Sequence, residues 1–380
     1  MKTKYPRRSF IGKLSMLASA ALAMPLLGLA KVFNKNESME NENHSAVKNI
    51  KALGFQWETS DPFLFCVHHE DKYPRGNSVC GPNSSLEGRH IGQDFILKDG
   101  WRMYHGDTVP GFPGHPHRGF ETITVVKEGM VDHADSLGAA GRYGNGDVQW
   151  MTAGKGVQHS EMFPLLSQDK ENPMELFQIW LNLPKKSKMV PANFTMLWSE
   201  SIPRKNFKDT NGNKTEIEII AGPIEQEKLL SPPPDSWASD PANNVAIWNI
   251  KMEANAEWTM SKTSAGANRT LYFYEGKGLS INGIAIADYH AAEVLPDQDL
   301  ILRSGPSGAK ILVLQGNPIA EPVVQHGPFV MNTKEEISQA FNDYHLTQFG
   351  GWPWPKRDQV HDRSKGRFAK YVDGRLEEKG

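Results

Sequence analysis

The sequence predicts an all-β protein made of two antiparallel β domains followed by a single C-terminal helix. Three observations predict it. A chain of 380 residues with 39% hydrophobic content can bury two ordinary cores, because domains usually run to about 100 to 200 residues. Short β-branched and aromatic runs recur, for example at 122–127, 176–183, 216–221 and 311–315. Turn signals such as Asn145-Gly146-Asp147 and Asn282-Gly283 separate them at the spacing of sandwiches and barrels.

Taken in order, residues 1–30 read as a twin-arginine signal peptide. Arg7 and Arg8 precede Ser9-Phe10-Ile11 and an apolar run that ends in Gly28-Leu29-Ala30. The run falls short of the roughly 20 residues of a spanning helix, and Pro25 interrupts it, so the expectation is cleavage and a periplasmic protein with no stable membrane span. Residues 31–47, dense in Asn and Glu, read as a polar linker.

The first β domain is expected over 48–185 and the second over 186–330, with the proline-rich stretch 231–235 as a surface excursion. Residues 331–380 hold the helix and a charged tail. Thr333 and Glu336 form a capping box, and Ile337, Ala340, Phe341 and Tyr344 share one helical face. The tail from 356 onward reads as solvated surface. A net charge of -2 gives no field suited to a polyanion, so nucleic acid is not expected as a partner. The two cysteines, Cys66 and Cys80, exclude a four-thiolate zinc site and leave open whether they form a disulfide or stay apart as buried thiols.

The chemistry-bearing residues are His115-Pro116-His117 and His159-Ser160-Glu161. Alternate residues of a strand point to one face, so each pair can aim two donors at one ion. Three imidazoles and a carboxylate suit one divalent transition metal per chain: Fe(II), Mn, Ni, Cu or Zn. Glu121 shares parity with His115 and His117, and spacing alone does not choose between Glu121 and Glu161 as the fourth ligand. His68-His69-Glu70 reads as a surface loop, because adjacent strand residues face opposite sides. His44, His90, His133 and His290 read as ordinary core or surface histidines.

The stretch beginning His115-Pro116-His117-Arg118-Gly119-Phe120-Glu121, the segment 146–156, and His159-Ser160-Glu161-Met162 together resemble the signature of the pirins, a branch of the cupin superfamily. The segment 321–333 is similar to the pirin C-terminal domain, so the likeness covers most of 60–375. The resemblance implies two cupin β-barrels in one chain (a bicupin) and a monomer. It places one metal, commonly iron, in the first barrel on His115, His117, His159 and Glu161, and leaves the second barrel without metal. The exported N-terminus and an apparent insertion at 72–94, which carries Cys80, depart from the family. The nuclear role of some pirins is therefore not carried over.

Some members act as quercetin 2,3-dioxygenases, which open a flavonol with O2 and release carbon monoxide. The resemblance thus implies a small phenolic substrate, and on the chemistry of the site Glu161 is expected to take its proton as general base. An unperturbed glutamate near 4.3 is a weak base, so an apolar pocket lined by Phe112, Trp150 and Met162 is expected to raise it. A non-catalytic iron-binding redox sensor or interaction protein of the cell envelope, another metal-dependent reaction of a phenol, and a metal serving only as a folding staple are the alternatives. No GxSxG, GxxxxGK or GxGxxG-helix pattern supports hydrolase or nucleotide chemistry.

Overall fold

The protein is described by a computed structural model over residues 45–226 and 228–379; the expected signal peptide and nearly all of the expected linker lie outside them. Among the described residues four large sheets form two domains. In the first domain, the six-stranded sheet Asn193–Leu197, Val148–Thr152, Phe120–Glu128, Asn172–Asn182, Phe63–Tyr73, Gln56–Trp57 faces a second six-stranded sheet. That second sheet runs Leu376–Lys379, Arg367–Lys370, Ala140–Gly144, Met130–Asp135, Val157–Met162, Gly111–His117. In the second domain a seven-stranded sheet faces a four-stranded one. Strand pairing within the sheets is antiparallel. Hydrogen bonding leaves the sheets of each pair separate, so the expected barrels take the double-sheet form of cupins.

The central strands are buried on both faces, which explains their apolar density. In Phe120–Glu128, Val126 joins the core between the two sheets of the first domain. Ile123 and Val125 instead meet Ile247, Tyr272, Leu312 and Leu314 of the second domain. Each fully buried aliphatic or aromatic side chain contributes about 1.5–3 kcal/mol, so this shared cluster is a core and not a transient domain contact.

The described segments toward the two ends of the chain exchange domains. Val47–Ala52, the start of the expected first domain, pairs with His290–Val294 of the second. Ala46 and Val47, expected to end the linker, are buried. The tail expected to be solvated instead runs as Arg367–Lys370 against Ala140–Gly144. Phe368 and Ala369 are buried there, and Tyr371 stacks on Phe194 with ring centres 5.0 Å apart. Charge on Arg367, Lys370 and their neighbours masked a short apolar segment in the sequence.

The helix spans Lys334–Thr347 with both capping-box hydrogen bonds made. It buries Ile337, Ala340 and Tyr344, and Phe341 packs against Phe329 at 4.8 Å between ring centres. Cys66 and Cys80 are separate buried thiols, which resolves the choice left open above.

Candidate metal centre

Two neighbouring strands of the second six-stranded sheet carry the site. Gly111–His117 and Val157–Met162 pair so that His115 lies opposite His159 and Phe112 opposite Glu161. Directly opposed residues of an antiparallel pair share a face. His115, His117 and His159 therefore converge, each offering a ring nitrogen within 4.8 Å of the others. Ring centres are 4.7 Å apart for His115 and His117, and 4.5 Å for His115 and His159.

The protonation state fits a metal. Burial pushes His115 down to about 4, and drives His117 and His159 well below the ordinary histidine value, so all three are neutral imidazoles with a lone pair to give. His115 Nδ1 lies 3.0 Å from the Pro113 carbonyl, which assigns its proton to Nδ1 and leaves Nε2 as the donor to an ion. His159 is wholly buried, yet neither of its ring nitrogens has a hydrogen-bond partner in the protein. Such orphans cost about 1–3 kcal/mol each unless a ligand satisfies them, so this donor set fits a transition metal.

Glu161 Oε2 lies 3.8 Å from His159 Nε2. The Thr124 hydroxyl donates to Oε1 at 2.8 Å and the Gln178 amide to Oε2 at 2.7 Å. Burial raises the carboxyl while Thr124 and Gln178 lower it, with burial the larger effect. The expected lining is only partly present. Phe112 stands 6.3 Å from His115 between ring centres, but Trp150 belongs to the interdomain core and Met162 packs with Cys80 and Val109. Strand alternation turns Met162 away from the face that Glu161 occupies, and polar Thr124 and Gln178 take the remaining positions. Sequence reading did not single out these two, because their role depends on the facing sheet.

Glu121 is not in this cluster. Its carboxylate accepts from Thr152 at 2.6 Å and from Ser236 of the second domain at 2.5 Å. The parity argument assumed an unbroken strand, but Gly119 adopts φ +86°, and a Cβ there would fall 2.0 Å from the Val330 carbonyl oxygen. The chain turns at this glycine from one sheet into the other. His133, expected to be unremarkable, lies opposite Glu161 in the neighbouring strand, with ring centres 5.6 Å from His159. It is fully buried, and its Nε2 is 3.2 Å from Asp135. The i, i+2 pattern His133-Ala134-Asp135 was the available signal.

His68 and His69 lie on the strand Phe63–Tyr73 and not in a surface loop. They do face opposite sides. His68 stacks on Phe177 at 4.6 Å in the interdomain core, while His69 Nδ1 meets the Tyr104 hydroxyl at 2.7 Å. Tyr104 in turn donates to Asp71 at 2.5 Å, and Arg102 donates to the same carboxylate at 3.1 Å. Burial pulls His69 down to about 3.

The segment after the helix straps the outer face of the metal-bearing strands. Gly114 N–H donates to the Arg357 carbonyl at 2.7 Å, Arg357 donates to Gln158 at 2.8 Å, and Trp354 donates to the Asp135 carbonyl at 2.7 Å. Exposure falls from 9% at His115 to 4% at His117 and 0% at His159, so His115 is the member of the triad nearest the surface.

The pirin profile matches residues 47–181, and the profile of the pirin C-terminal cupin domain matches 247–350. A Pseudomonas aeruginosa protein named "putative quercetin 2,3-dioxygenase" is 39% identical over 63% of this chain and 80% of its own length. Pirin-1 of Arabidopsis thaliana is 36% identical over 63% of this chain and 78% of its own. Among solved structures, quercetin 2,3-dioxygenase from Acinetobacter baumannii superposes with a TM-score of 0.62 at 26% identity, covering 80% of this chain and 98% of that one.

Proposed function

The chain belongs to the pirin family of bicupins, and from that premise we propose that it is a metal-dependent oxygenase that opens a flavonol or related phenol with O2, in the manner of a quercetin 2,3-dioxygenase. The observation that carries the reading is the neutral histidine triad with its orphaned nitrogens beside a buried carboxylate. The names of the Pseudomonas and Acinetobacter relatives support the reaction class.

His115, His117 and His159 would hold the ion, for which we propose Fe(II) ahead of Mn, Ni, Cu or Zn. When bound, it supplies a Lewis acid and a template for the phenolic oxygen and O2. Glu161 takes the proton of the hydroxyl that ionises; burial favours its protonated form, and the two neutral donors from Thr124 and Gln178 hold its oxygens in place. Phe112 offers its ring to a flat substrate next to His115. The strap keeps water from the rear of the strands. We further propose that the reaction takes place in the periplasm, on the strength of Arg7-Arg8 and the apolar run behind them.

The test is metal analysis of anaerobically purified protein, followed by oxygen uptake and carbon monoxide release with quercetin and related phenols. Wild type is expected to bind metal and consume oxygen. His115→Ala with His159→Ala is expected to lose both properties. Glu161→Gln is expected to keep metal and lose turnover. Metal-loaded wild type that consumes no oxygen with any phenol would refute the proposal, and unchanged turnover in Glu161→Gln would remove the base from it.

A further inference from the structure

A cavity of about 880 Å³ lies in the other domain and plays no part in the chemistry above. Both sheets of that domain line it: Trp248, Arg269 and Gln315 stand on the seven-stranded sheet, and Trp258 and Met260 on the four-stranded one.

Arg269 is the unusual member. It is 3% exposed, its Nε donates to Gln315 Oε1 at 2.6 Å, and its Nη1 donates to the Ser261 carbonyl at 3.0 Å. Among the described residues, no acceptor is hydrogen-bonded to its Nη2 and no carboxylate lies within ion-pair distance. The other buried arginines are matched: Arg89 with Asp94 at 2.9 Å, Arg118 with Asp343 at 2.7 Å, and Arg142 with Asp132 at 2.6 Å. A buried guanidinium is normally paired, because the uncompensated charge is costly. The cost registers here as burial pulling Arg269 down to about 10, with Asp299 the one acid that acts against it.

The acids at the rim are engaged elsewhere. Glu225 pairs with Lys205 at 2.8 Å and Glu257 with Arg303 at 2.6 Å. Asp240 accepts the Ala242 N–H at 2.9 Å, and Asp209 accepts backbone N–H groups of Asn211 and Asn213. Lys208 and Lys262 also stand at the rim.

We propose that this cavity binds an aromatic carboxylate, with the carboxylate on Arg269 and the ring against Trp248 and Trp258. A buried guanidinium whose Nη2 is unengaged matches a carboxylate oxygen, and the cavity is much larger than an inorganic anion needs. The two indoles and Met260 form the apolar wall that favours a flat ring. The site is separate from the metal centre and does not depend on the oxygenase reading.

Calorimetric titration of the metal-loaded protein with 2-naphthoate tests it. Saturable binding is expected, and neutral 2-naphthamide should bind at least about tenfold more weakly, the difference a charged hydrogen bond makes. Arg269→Gln should weaken 2-naphthoate by about ten- to a hundredfold and leave naphthamide unchanged. His115→Ala with His159→Ala should bind 2-naphthoate as wild type does, which separates this site from carboxylate ligation at the metal. No saturable binding, equal affinity for acid and amide, or binding lost with the histidines but kept without Arg269 would each overturn the proposal. If Arg269→Gln does not fold, the acid-to-amide ratio in wild type decides alone.

Discussion

Replacing Arg142 by Met should release the C-terminal strap. Arg142 and Asp132 are both fully buried, with Nε donating to Oδ1 at 2.6 Å and Nη2 to Oδ2 at 2.8 Å. The same guanidinium donates to the carbonyls of Asp362 at 2.8 Å, Lys365 at 2.7 Å and His361 at 3.0 Å. In Arg142→Met the Asp132 carboxylate stays buried with the His361 N–H as its remaining donor. Breaking a buried pair from one side costs about 3–5 kcal/mol. Changing Asp132→Leu in the same chain removes the stranded charge and should recover most of that loss, because apolar replacement of a buried pair is often neutral. It does not restore the three carbonyl contacts, so the strap should stay loose. The two effects separate by assay. Urea unfolding, followed by circular dichroism and tryptophan fluorescence in parallel, reads the global cost, and hydrogen exchange over 356–371 reads the strap. A loss below about 1 kcal/mol in Arg142→Met, the value of an exposed pair, together with unchanged exchange would refute the reasoning.

Three further outcomes follow from the same geometry. Burial holds the Glu121 carboxyl up at about 7, against an ordinary value of 4.5. Its folded-state pKa is the higher one, so its contribution to stability is complete below pH 4.5 and lost as pH rises to about 7, by about 1.4 kcal/mol per pH unit. Glu121→Gln should remove that slope and still bind metal; parallel pH–stability curves, or loss of metal, would refute it. Chelation should lower the melting temperature of wild type but not that of His115→Ala with His159→Ala, since metal held at 1,000 times its Kd adds about 4 kcal/mol; identical shifts in both would show that the metal sits elsewhere. Cys66 and Cys80 should both stay unreactive toward a thiol reagent in the folded protein, because burial raises each thiol, and both should react after unfolding. Fewer than two reactive thiols under non-reducing denaturation would reveal a disulfide.

The triad was legible because its information is local. Two i, i+2 pairs need only be strands, and pairing His115 with His159 brings their faces together. The same rule left Glu121 open beside Glu161, since parity holds only while the strand continues and Gly119 ends it. The dipeptide Arg118-Gly119 carried that warning. Adjacency correctly predicted that His68 and His69 face opposite sides, but their burial depends on Phe177 and Tyr104, which arrive from other strands. The exchange of Val47–Ala52 and Arg367–Lys370 between domains was not legible, because each segment's pairing partner is distant in the chain and charged residues interrupt its few apolar ones.

Burial of the central strands on both faces also ties the two domains to the candidate chemistry. On Phe120–Glu128 and Asn172–Asn182, Thr124 and Gln178 point to Glu161, while Ile123, Val125, Phe177 and Ile179 point into the second domain. Thr124 and Gln178 are themselves paired across the two strands, as are Ile123 and Ile179. The side chains that hold the carboxylate and those that bind the domains together therefore alternate along one strand pair, and closely packed cores transmit displacement instead of absorbing it. A carboxylate fixed to within hydrogen-bond tolerance needs rigid support, and the second domain supplies that support through its packing. This assigns a physical role to a domain outside the histidine cluster: it immobilises the back of the sheet whose front positions Glu161.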